Sequence, residues 1–245
     1  MTEISRFTLP SGQQMAYRFA PGRLPAVVFL PGYMSDMAGG KAQAALAWAV
    51  AQGRACLLLD YTGCGSSDGA FADGSLSQWR DEVAALIDHL ELASVQLVGS
   101  SMGGWLMLLI AEKLGDRAKA MVGLAPAPDF TEWGFSQSQR IALAAGRTIF
   151  EDNPYGPEPT PTHARFWSDG ERHKRLGAEI PFDGPVRLLH GQADPDVPWE
   201  VSLKLARALR SADVQVHLIK DGDHRLSRDQ DIALLLRELA GLHEG

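Results

Sequence analysis

The chain has 245 residues, 45% of them hydrophobic and 22% charged, which is an ordinary globular composition and excludes disordered and collagenous classes. It carries 23 Lys and Arg against 30 Asp and Glu, so its formal net charge of −7 provides no basic field for nucleic acid. A chain of this length is expected to form one hydrophobic core, and we predict a single domain over residues 1–245.

The cysteine count and the first residues bear on the compartment. Cys56 and Cys64 cannot form a disulfide framework and lack the histidine neighbours of a structural zinc site. The first residues show neither a secretory signal nor a transit peptide, so we predict a cytoplasmic location. Residues 93–111 are uncharged, but their serines and glycines indicate a buried strand, turn and helix rather than a membrane span.

Taken in chain order, the elements begin with two short strands. The segments 6–9 and 14–19 flank a Pro-Ser-Gly turn and predict an antiparallel hairpin. Apolar runs then alternate with helical patterns: strands at 26–30, 55–60 and 95–99, and helices at 41–52, 79–90 and 102–114. Strands without polar alternation are buried on both faces, so this order predicts an α/β fold with a mostly parallel, doubly covered sheet.

The same alternation returns late in the chain after a long interruption. Further strands are predicted at 119–124, 186–190 and 214–220, with a helix at 199–209 and another carrying the stripe Ile232, Leu235, Leu236 and Leu239. Between Ala125 and Pro185 the periodicity disappears into a Pro-rich segment. We predict a small lid insertion at about 126–185, with short helices of its own, because a structureless loop of that length is uncommon.

A candidate nucleophile follows the strand 95–99. Gly99, Ser101 and Gly103 form a G-x-S-x-G motif between a strand and an apolar helix, the context in which a serine sits on a sharp turn. Centring the motif on Ser100 would require glycine at Val98 and Met102, so the register selects Ser101. The alternative is a serine in an ordinary Gly-rich turn.

A serine hydroxyl needs a base, and the base needs an orienting acid. The loop after strand 186–190 offers Asp194 and Asp196, and the residues alone leave both open. His224 follows the strand 214–220 at the same sheet edge, in the chain order Ser, Asp, His. We interpret the remaining histidines as packed or solvated: His89, His163, His173, His190, His217 and His243.

Two backbone N–H groups are candidates for stabilising an oxyanion: that of Met102, at the start of the helix after Ser101, and that of Tyr33, after the flexible Gly32. No histidine pair has metal-ligand spacing, so we predict no metal. The glycines at 63 and 65 lack the third glycine and the following helix of a nucleotide site, and we predict no cofactor.

Together with their neighbouring residues, these motifs resemble the α/β-hydrolase superfamily, and the resemblance covers essentially the full chain. They are residues 29–37, 99–107, 187–191, 197–199 and 223–225, and they are similar to the branch of abhydrolase-domain palmitoyl-protein thioesterases and acyl-glucuronide esterases. The resemblance implies the α/β-hydrolase fold, Ser101 as nucleophile and His224 as base. It also implies Asp194 rather than Asp196 as the acid, because the usual spacing after His-Gly falls there.

We therefore expect a cofactor-free serine hydrolase that cleaves esters or thioesters of apolar acyl groups, on small molecules or acylated proteins. Apolar bulk in the insertion comes from Trp133, Phe135, Ile141, Phe150, Tyr155, Phe166 and Trp167. We predict that Trp133, Phe135, Phe166 and Trp167 contact substrate, although they could instead only anchor the lid. The alternatives are a short-chain carboxylesterase and a non-catalytic binding protein on the same fold. The oligomeric state stays open.

Overall fold

The computed structural model describes residues 2–154 and 156–242, and its framework is an eight-stranded sheet in the order β1-β2-β4-β3-β5-β6-β9-β10, with β7 and β8 forming a separate two-stranded sheet. The strands are β1 (Ser5–Thr8), β2 (Gln14–Ala20), β3 (Arg23–Leu30), β4 (Arg54–Leu59), β5 (Val95–Ser100), β6 (Ala118–Leu124), β7 (Ile149–Glu151), β8 (Thr160–Thr162), β9 (Val186–Gly191) and β10 (Val214–Ile219). β1 and β2 join the large sheet antiparallel, and all its other pairings are parallel. The predicted sheet is confirmed.

Helices cover both faces of this sheet. They are α1 (Gly40–Ala51), α2 (Leu76–His89), α3 (Met102–Leu114), α4 (Phe130–Trp133), α5 (Gln137–Ala144), α6 (Ala164–Arg172), α7 (Glu200–Ala208) and α8 (Asp229–Gly241), with single 3-10 turns at Phe71–Asp73 and Gly115–Arg117. Alternate residues of one strand feed opposite cores: Leu57 packs towards α2 and α3, and Leu58 towards α1 and α8. This double burial is the reason the strands lack polar alternation.

The start of α2 differs from the prediction. The sequence placed it at residue 79, where the apolar stripe begins, but the helix begins at Leu76. The side chain of Ser75 accepts a hydrogen bond from the backbone N–H of Gln78, and this N-cap, together with the buried Leu76, starts the helix one turn earlier. None of the helices in the described part of the chain is long and apolar enough to cross a membrane.

The segment between β6 and β9 contains α4, α5, α6 and the antiparallel pair β7 and β8. We call residues 125–185 the lid segment. Its two ends are joined by Asp129, whose buried carboxylate accepts hydrogen bonds from the backbone N–H groups of Arg175 and Leu176 at 2.7–3.0 Å. Asp169 fixes α6 to α2 by accepting from the backbone N–H and the hydroxyl of Ser77 at 2.7 and 2.8 Å.

Candidate active site

Ser101 lies on a sharp turn between β5 and α3. Its backbone has φ 54° and ψ −119°, a strained conformation for a residue with a side chain. The turn is fixed by backbone hydrogen bonds from Ser101 N–H to Leu124 C=O at 2.9 Å and from Ala127 N–H to Ser101 C=O at 3.0 Å. Strained backbone persists only where its surroundings hold it, and these bonds hold the Ser101 side chain above the end of the strand.

The glycines of the motif allow this turn to form. A Cβ atom added at Gly99 would lie 2.4 Å from the carbonyl oxygen of Gly103, and one at Gly103 would lie 2.1 Å from that of Leu30. Both distances are too short for any side chain, and backbone atoms cannot move away as a flexible side chain can. The spacing of the motif therefore reflects the close approach of β5, α3 and β3 around Ser101.

The three residues expected from the sequence meet at this edge of the sheet. His224 Nε2 lies 3.0 Å from Ser101 Oγ, and His224 Nδ1 lies 2.8 Å from Asp194 Oδ2. With a proton on Nδ1, the imidazole donates to Asp194 and leaves Nε2 to accept from the serine hydroxyl. The neighbouring Asp196 is exposed, and its backbone N–H donates a hydrogen bond to Asp194 Oδ1 at 2.8 Å.

The Asp194 carboxylate is fully enclosed, with a side-chain exposure of 0%. Oδ1 accepts from the backbone N–H groups of Asp196 and Val197, and Oδ2 lies 2.8 Å from His224 Nδ1 and 3.3 Å from His190 Nε2. Burial opposes ionisation, but hydrogen bonds from His190 and His224 outweigh it and hold the pKa of Asp194 well below its usual range. The carboxylate is therefore charged at neutral pH.

The loops that carry Asp194 and His224 are joined through their backbones. Ala193 N–H donates to Gly222 C=O at 3.0 Å, and Gln192 N–H donates to Ile219 C=O at 2.8 Å. A Cβ atom at Gly191 would lie only 2.1 Å from the carbonyl oxygen of Gly222. Since the loops follow the parallel neighbours β9 and β10, sheet register and this contact together set the separation of Asp194 and His224.

The loop after β3 lies against the nucleophile turn. A Cβ atom at Gly32 would be 3.3 Å from Ser100 C=O and 3.3 Å from Ser101 Cβ, which brings the following Tyr33 N–H to the same place. Met102 is the first residue of α3, where backbone N–H groups have no partner inside the helix. Among the described residues, neither N–H donates to a backbone acceptor, and their role towards an oxyanion stays a prediction.

The four residues expected to contact substrate differ in burial: Phe166 and Phe135 are buried, and Trp133 and Trp167 are partly exposed. Phe166 is 2% exposed and packs in the main core, and Phe135 is buried beside Phe130 at a centroid distance of 6.1 Å. Trp133 packs against Ala127 and Val197, in the two loops that flank the triad, and its indole N–H donates to Pro128 C=O. The indole N–H of Trp167 donates to Thr131 C=O at 3.1 Å. Tyr155 and His243 lie outside the described residues.

Phe130, which no sequence pattern indicated, connects the main core to the apolar cluster beside the active-site loops. It is partly buried, and it packs against both the main core and the small cluster of Ala127, Val197 and Val201. Its ring stacks on Phe166 at a centroid distance of 5.6 Å and meets Tyr33 edge-on at 6.0 Å. Because residues 125–185 have no hydrophobic periodicity, the sequence does not indicate that Phe130 faces inward.

Lys41 and His190 are two further residues near the site that the sequence analysis did not select. The Lys41 ammonium donates to the backbone carbonyl of Arg225, the neighbour of His224. Burial, helped by the positive charge of Arg225, lowers the pKa of Lys41 to about 8. His190 was interpreted as a packed strand histidine, yet its ring reaches the carboxylate of Asp194. The four-residue spacing of His190 and Asp194 was the available signal.

Asp194, Asp196 and His224 offer three potential metal ligand atoms within 4.8 Å of one another. Asp194 Oδ2 and His224 Nδ1 already bind each other, so a metal ion there would compete with the hydrogen bond that orients the imidazole. The absence of a metal requirement stays a prediction.

Comparison with known proteins identifies the fold and the family. Residues 25–147 match the family model described as the alpha/beta hydrolase fold. The chain is 36% identical over 244 residues to human palmitoyl-protein thioesterase ABHD10, mitochondrial, covering 96% of this chain and 78% of that protein. It is also similar to a solved structure of a putative hydrolase from Agrobacterium vitis, with a TM-score of 0.92, 36% identity and 99% of each chain covered. For the solved structure of mouse alpha/beta hydrolase domain-containing protein 10, the TM-score is 0.91 at 34% identity, covering 99% of this chain and 98% of that one.

The relatives also correct the predicted location. The expectation of a cytoplasmic protein is wrong by this comparison, because the human, orangutan and mouse relatives are mitochondrial proteins. That expectation rested on free cysteines and on the first few residues, and neither feature distinguishes between reducing compartments. The fold prediction and the resemblance are confirmed, and the chain belongs to the α/β-hydrolase family.

Proposed function

We propose that the protein is a serine hydrolase that cleaves thioesters and esters of apolar acyl groups through an acyl-enzyme on Ser101. The observation that carries the proposal is the continuous hydrogen-bond chain from Ser101 through His224 to Asp194, with contacts of 3.0 and 2.8 Å. A nucleophile, a base and an orienting acid within hydrogen-bond reach of one another are what acyl transfer requires. The palmitoyl-protein thioesterase activity named for the relatives supports the thioester part.

In the first half of the reaction, Ser101 Oγ attacks the acyl carbonyl carbon while His224 Nε2 takes the hydroxyl proton. The carbonyl electron pair moves to oxygen, and the backbone N–H groups of Tyr33 and Met102 donate to that oxyanion. Collapse of the intermediate breaks the carbon–sulfur or carbon–oxygen bond, and the imidazolium of His224 gives its proton to the leaving group.

In the second half, water replaces the leaving group. His224 Nε2 takes a proton from the water as its oxygen attacks the acyl-enzyme, and collapse releases the acid and returns a proton to Ser101 Oγ. Asp194 stays ionised throughout and stabilises the imidazolium, because its pKa lies well below its usual range: burial opposes ionisation and the hydrogen bonds from His190 and His224 overcome it. The chemistry uses only groups of this chain and water.

Apolar side chains beside the loops of Ser101 and Asp194 support an apolar acyl group as the substrate. Phe130 and Trp133 are partly exposed aromatic side chains, and both pack on the cluster of Ala127, Val197 and Val201 beside the triad loops. Each methylene that such a surface covers contributes about 0.8 kcal/mol to binding. We expect kcat/KM to rise from acetyl towards medium or long acyl thioesters and peptide amides to remain uncleaved.

The test is labelling with a fluorophosphonate probe, followed by an acyl-length series of thioesters and oxygen esters. Wild type is expected to be labelled, Ser101→Ala to lose the label, and the neighbouring Ser100→Ala to keep it as the matched control. Labelling that persists in Ser101→Ala contradicts the nucleophile. A flat or falling dependence on acyl length leaves a short-chain carboxylesterase, and no labelling or hydrolysis by wild type leaves a non-catalytic binding protein.

A further inference from the structure

His190 is a buried side chain that the proposed reaction does not use. It lies on β9 with an exposure of 0%, and its Nε2 is 3.3 Å from Asp194 Oδ2 and 3.0 Å from the carbonyl oxygen of Val197. Its Nδ1 is 2.7 Å from the hydroxyl of Ser202, which is also fully buried, on α7. Both ring nitrogens therefore have partners inside the protein.

The partners fix the tautomer of the ring. Nε2 faces two oxygens, a carboxylate and a carbonyl, that can only accept hydrogen bonds, so it carries a proton. Nδ1 faces a hydroxyl that can donate, and Ser202 then donates to Nδ1. Hydrogen bonds therefore join Ser202 to His190, His190 to the carbonyl of Val197, His224 to Asp194, and Ser101 to His224, and His190 Nε2 also lies within ion-pair distance of Asp194 Oδ2, at 3.3 Å.

Asp194 needs all of its donors. An ionised carboxylate has about four lone-pair sites, and this one accepts two backbone N–H groups on Oδ1 and His224 Nδ1–H on Oδ2, while His190 Nε2 lies 3.3 Å from Oδ2. Because the carboxylate is completely buried, water cannot replace a lost donor. Without His190, the carboxylate is free to turn towards other donors, away from the position that orients His224.

We infer that His190, held by Ser202, is a positioning residue of the acyl-transfer site: its Nε2–H fixes the Asp194 carboxylate in the orientation that aims His224 at Ser101. This inference rests on the proposed function. Val197 supplies the backbone carbonyl that shares the same proton, and its own N–H also binds Asp194, so the ring holds both the acid and the loop around it.

The experiment compares His190→Leu, which removes the donor, with His190→Gln, whose amide nitrogen occupies nearly the place of Nε2. We expect His190→Leu to lower kcat by about 10- to 100-fold with KM within about twofold, since misplaced catalytic groups cost rate rather than binding. His190→Gln is expected to recover most of that loss, and Ser202→Ala to show a smaller loss of the same kind. His217→Phe is the matched control: this histidine lies on the neighbouring β10, its Nε2 is 3.5 Å from the carboxylate of Glu238, and its kcat is expected to stay unchanged.

Two readouts separate positioning from folding. Titration with the fluorophosphonate probe counts competent sites, so kcat is expressed per folded enzyme, and proton NMR follows the low-field resonance of the His224 Nδ1–H. We expect this resonance to shift or disappear in His190→Leu and to return in His190→Gln. A normal kcat per site with an unchanged resonance in His190→Leu overturns the inference, as does an equal loss in the Leu and Gln variants. Absence of Ser101-dependent labelling in wild type would instead overturn the proposed function.

Discussion

The triad edge and the lid segment are held by different kinds of contact. Around Ser101, Asp194 and His224 the positions are set by backbone, through the hydrogen bonds of the turn and through glycines at which a Cβ atom would lie only 2.1–2.4 Å from a neighbouring carbonyl oxygen. The lid segment is held by side chains, through the carboxylates of Asp129 and Asp169 and an aromatic cluster around Phe166. Positions fixed by backbone contacts cannot shift without breaking those contacts, whereas side-chain packing can be weakened gradually by successive substitutions. Substitutions of the side chains of Ser101, Asp194 and His224 should therefore change rate more than stability, and substitutions of buried side chains in the lid segment should change stability first.

The largest expected effect breaks the triad itself. His224→Ala is expected to lower kcat by about 10⁴-fold or more, with Ser101→Ala as damaging and the double variant little worse than either, because the residues act as a unit. Steady-state kinetics on a thioester measures this, and thermal unfolding checks that the fold is intact. Losses that multiply in the double variant would show that the two residues act separately.

The acid gives the next largest effect and tests the choice between two neighbouring aspartates. Asp194→Asn is expected to lower kcat by about 10³- to 10⁴-fold, because an amide in that place disturbs the tautomer of His224. Asp196→Asn is the matched control: the substitution keeps the backbone N–H that donates to Asp194 Oδ1 and removes only the charge of the Asp196 side chain. A larger loss in Asp196→Asn than in Asp194→Asn would transfer the role to Asp196.

In the lid segment the expected loss is in stability. Phe166→Ala removes a ring that is 2% exposed and touches Tyr33, Trp79 and Phe130, and large-to-small changes of this kind cost about 3–5 kcal/mol. Phe150→Ala is the control in the same segment, since that ring is 65% exposed and surface changes stay within about 0.5 kcal/mol. Denaturant unfolding measures both. Equal losses would mean that the aromatic cluster does not anchor the segment.

A smaller effect depends on pH. Burial lowers the pKa of Lys41 to about 8 in the folded protein, below the value of about 10.4 for an unfolded lysine. The unfolded state then binds more protons between about pH 8 and 10.4, so the stability of wild type relative to Lys41→Met is expected to rise with pH across that window. The neighbouring charges of Arg225, Asp223, Asp231 and Asp194 are the same in both proteins. A difference that is constant from about pH 7 to 10 would place the Lys41 pKa outside the window.

Chelation is expected to have no effect. The proposed reaction uses no metal, so dialysis against EDTA should leave kcat/KM unchanged. Added Zn²⁺ should inhibit, because Asp194, Asp196 and His224 present ligand atoms within 4.8 Å and a bound ion would break the Asp194–His224 hydrogen bond. Loss of activity on chelation would contradict the metal-free mechanism.

The difference between the two regions also explains what the sequence could predict. Ser101 and His224 follow strand ends whose carboxyl edges meet in a parallel sheet, so local pattern and chain order were enough to bring them together. Asp194 and Asp196 were not separable from the residues alone. They lie two positions apart in one turn, and the folded loop distinguishes them: its backbone N–H groups donate to the carboxylate of Asp194.

The remaining site residues depend on contacts that no local pattern carries. His190 lies in a strand that is buried on both faces, and its contact with Asp194 forms only because the following loop folds back over the strand. The place of Phe166 is set by α6, which is fixed to α2 because Asp169 binds Ser77, 92 residues away; its contact with substrate stays a prediction. An irregular segment has no period to indicate which aromatic ring faces inward, and such long-range pairs decide it.

The carboxylate of Asp129 has a consequence for how this scaffold can diversify. It accepts from Arg175 N–H and Leu176 N–H across a separation of 46 and 47 residues, so two distant parts of the lid segment are fastened to each other. Changes of length in the exposed loops between them are expected to cost little, since doubling the length of a flexible connection costs only about 0.6 kcal/mol in closure entropy. Varying these loops, with Asp129, Phe166 and Asp169 retained, is therefore a route to altered acyl selectivity.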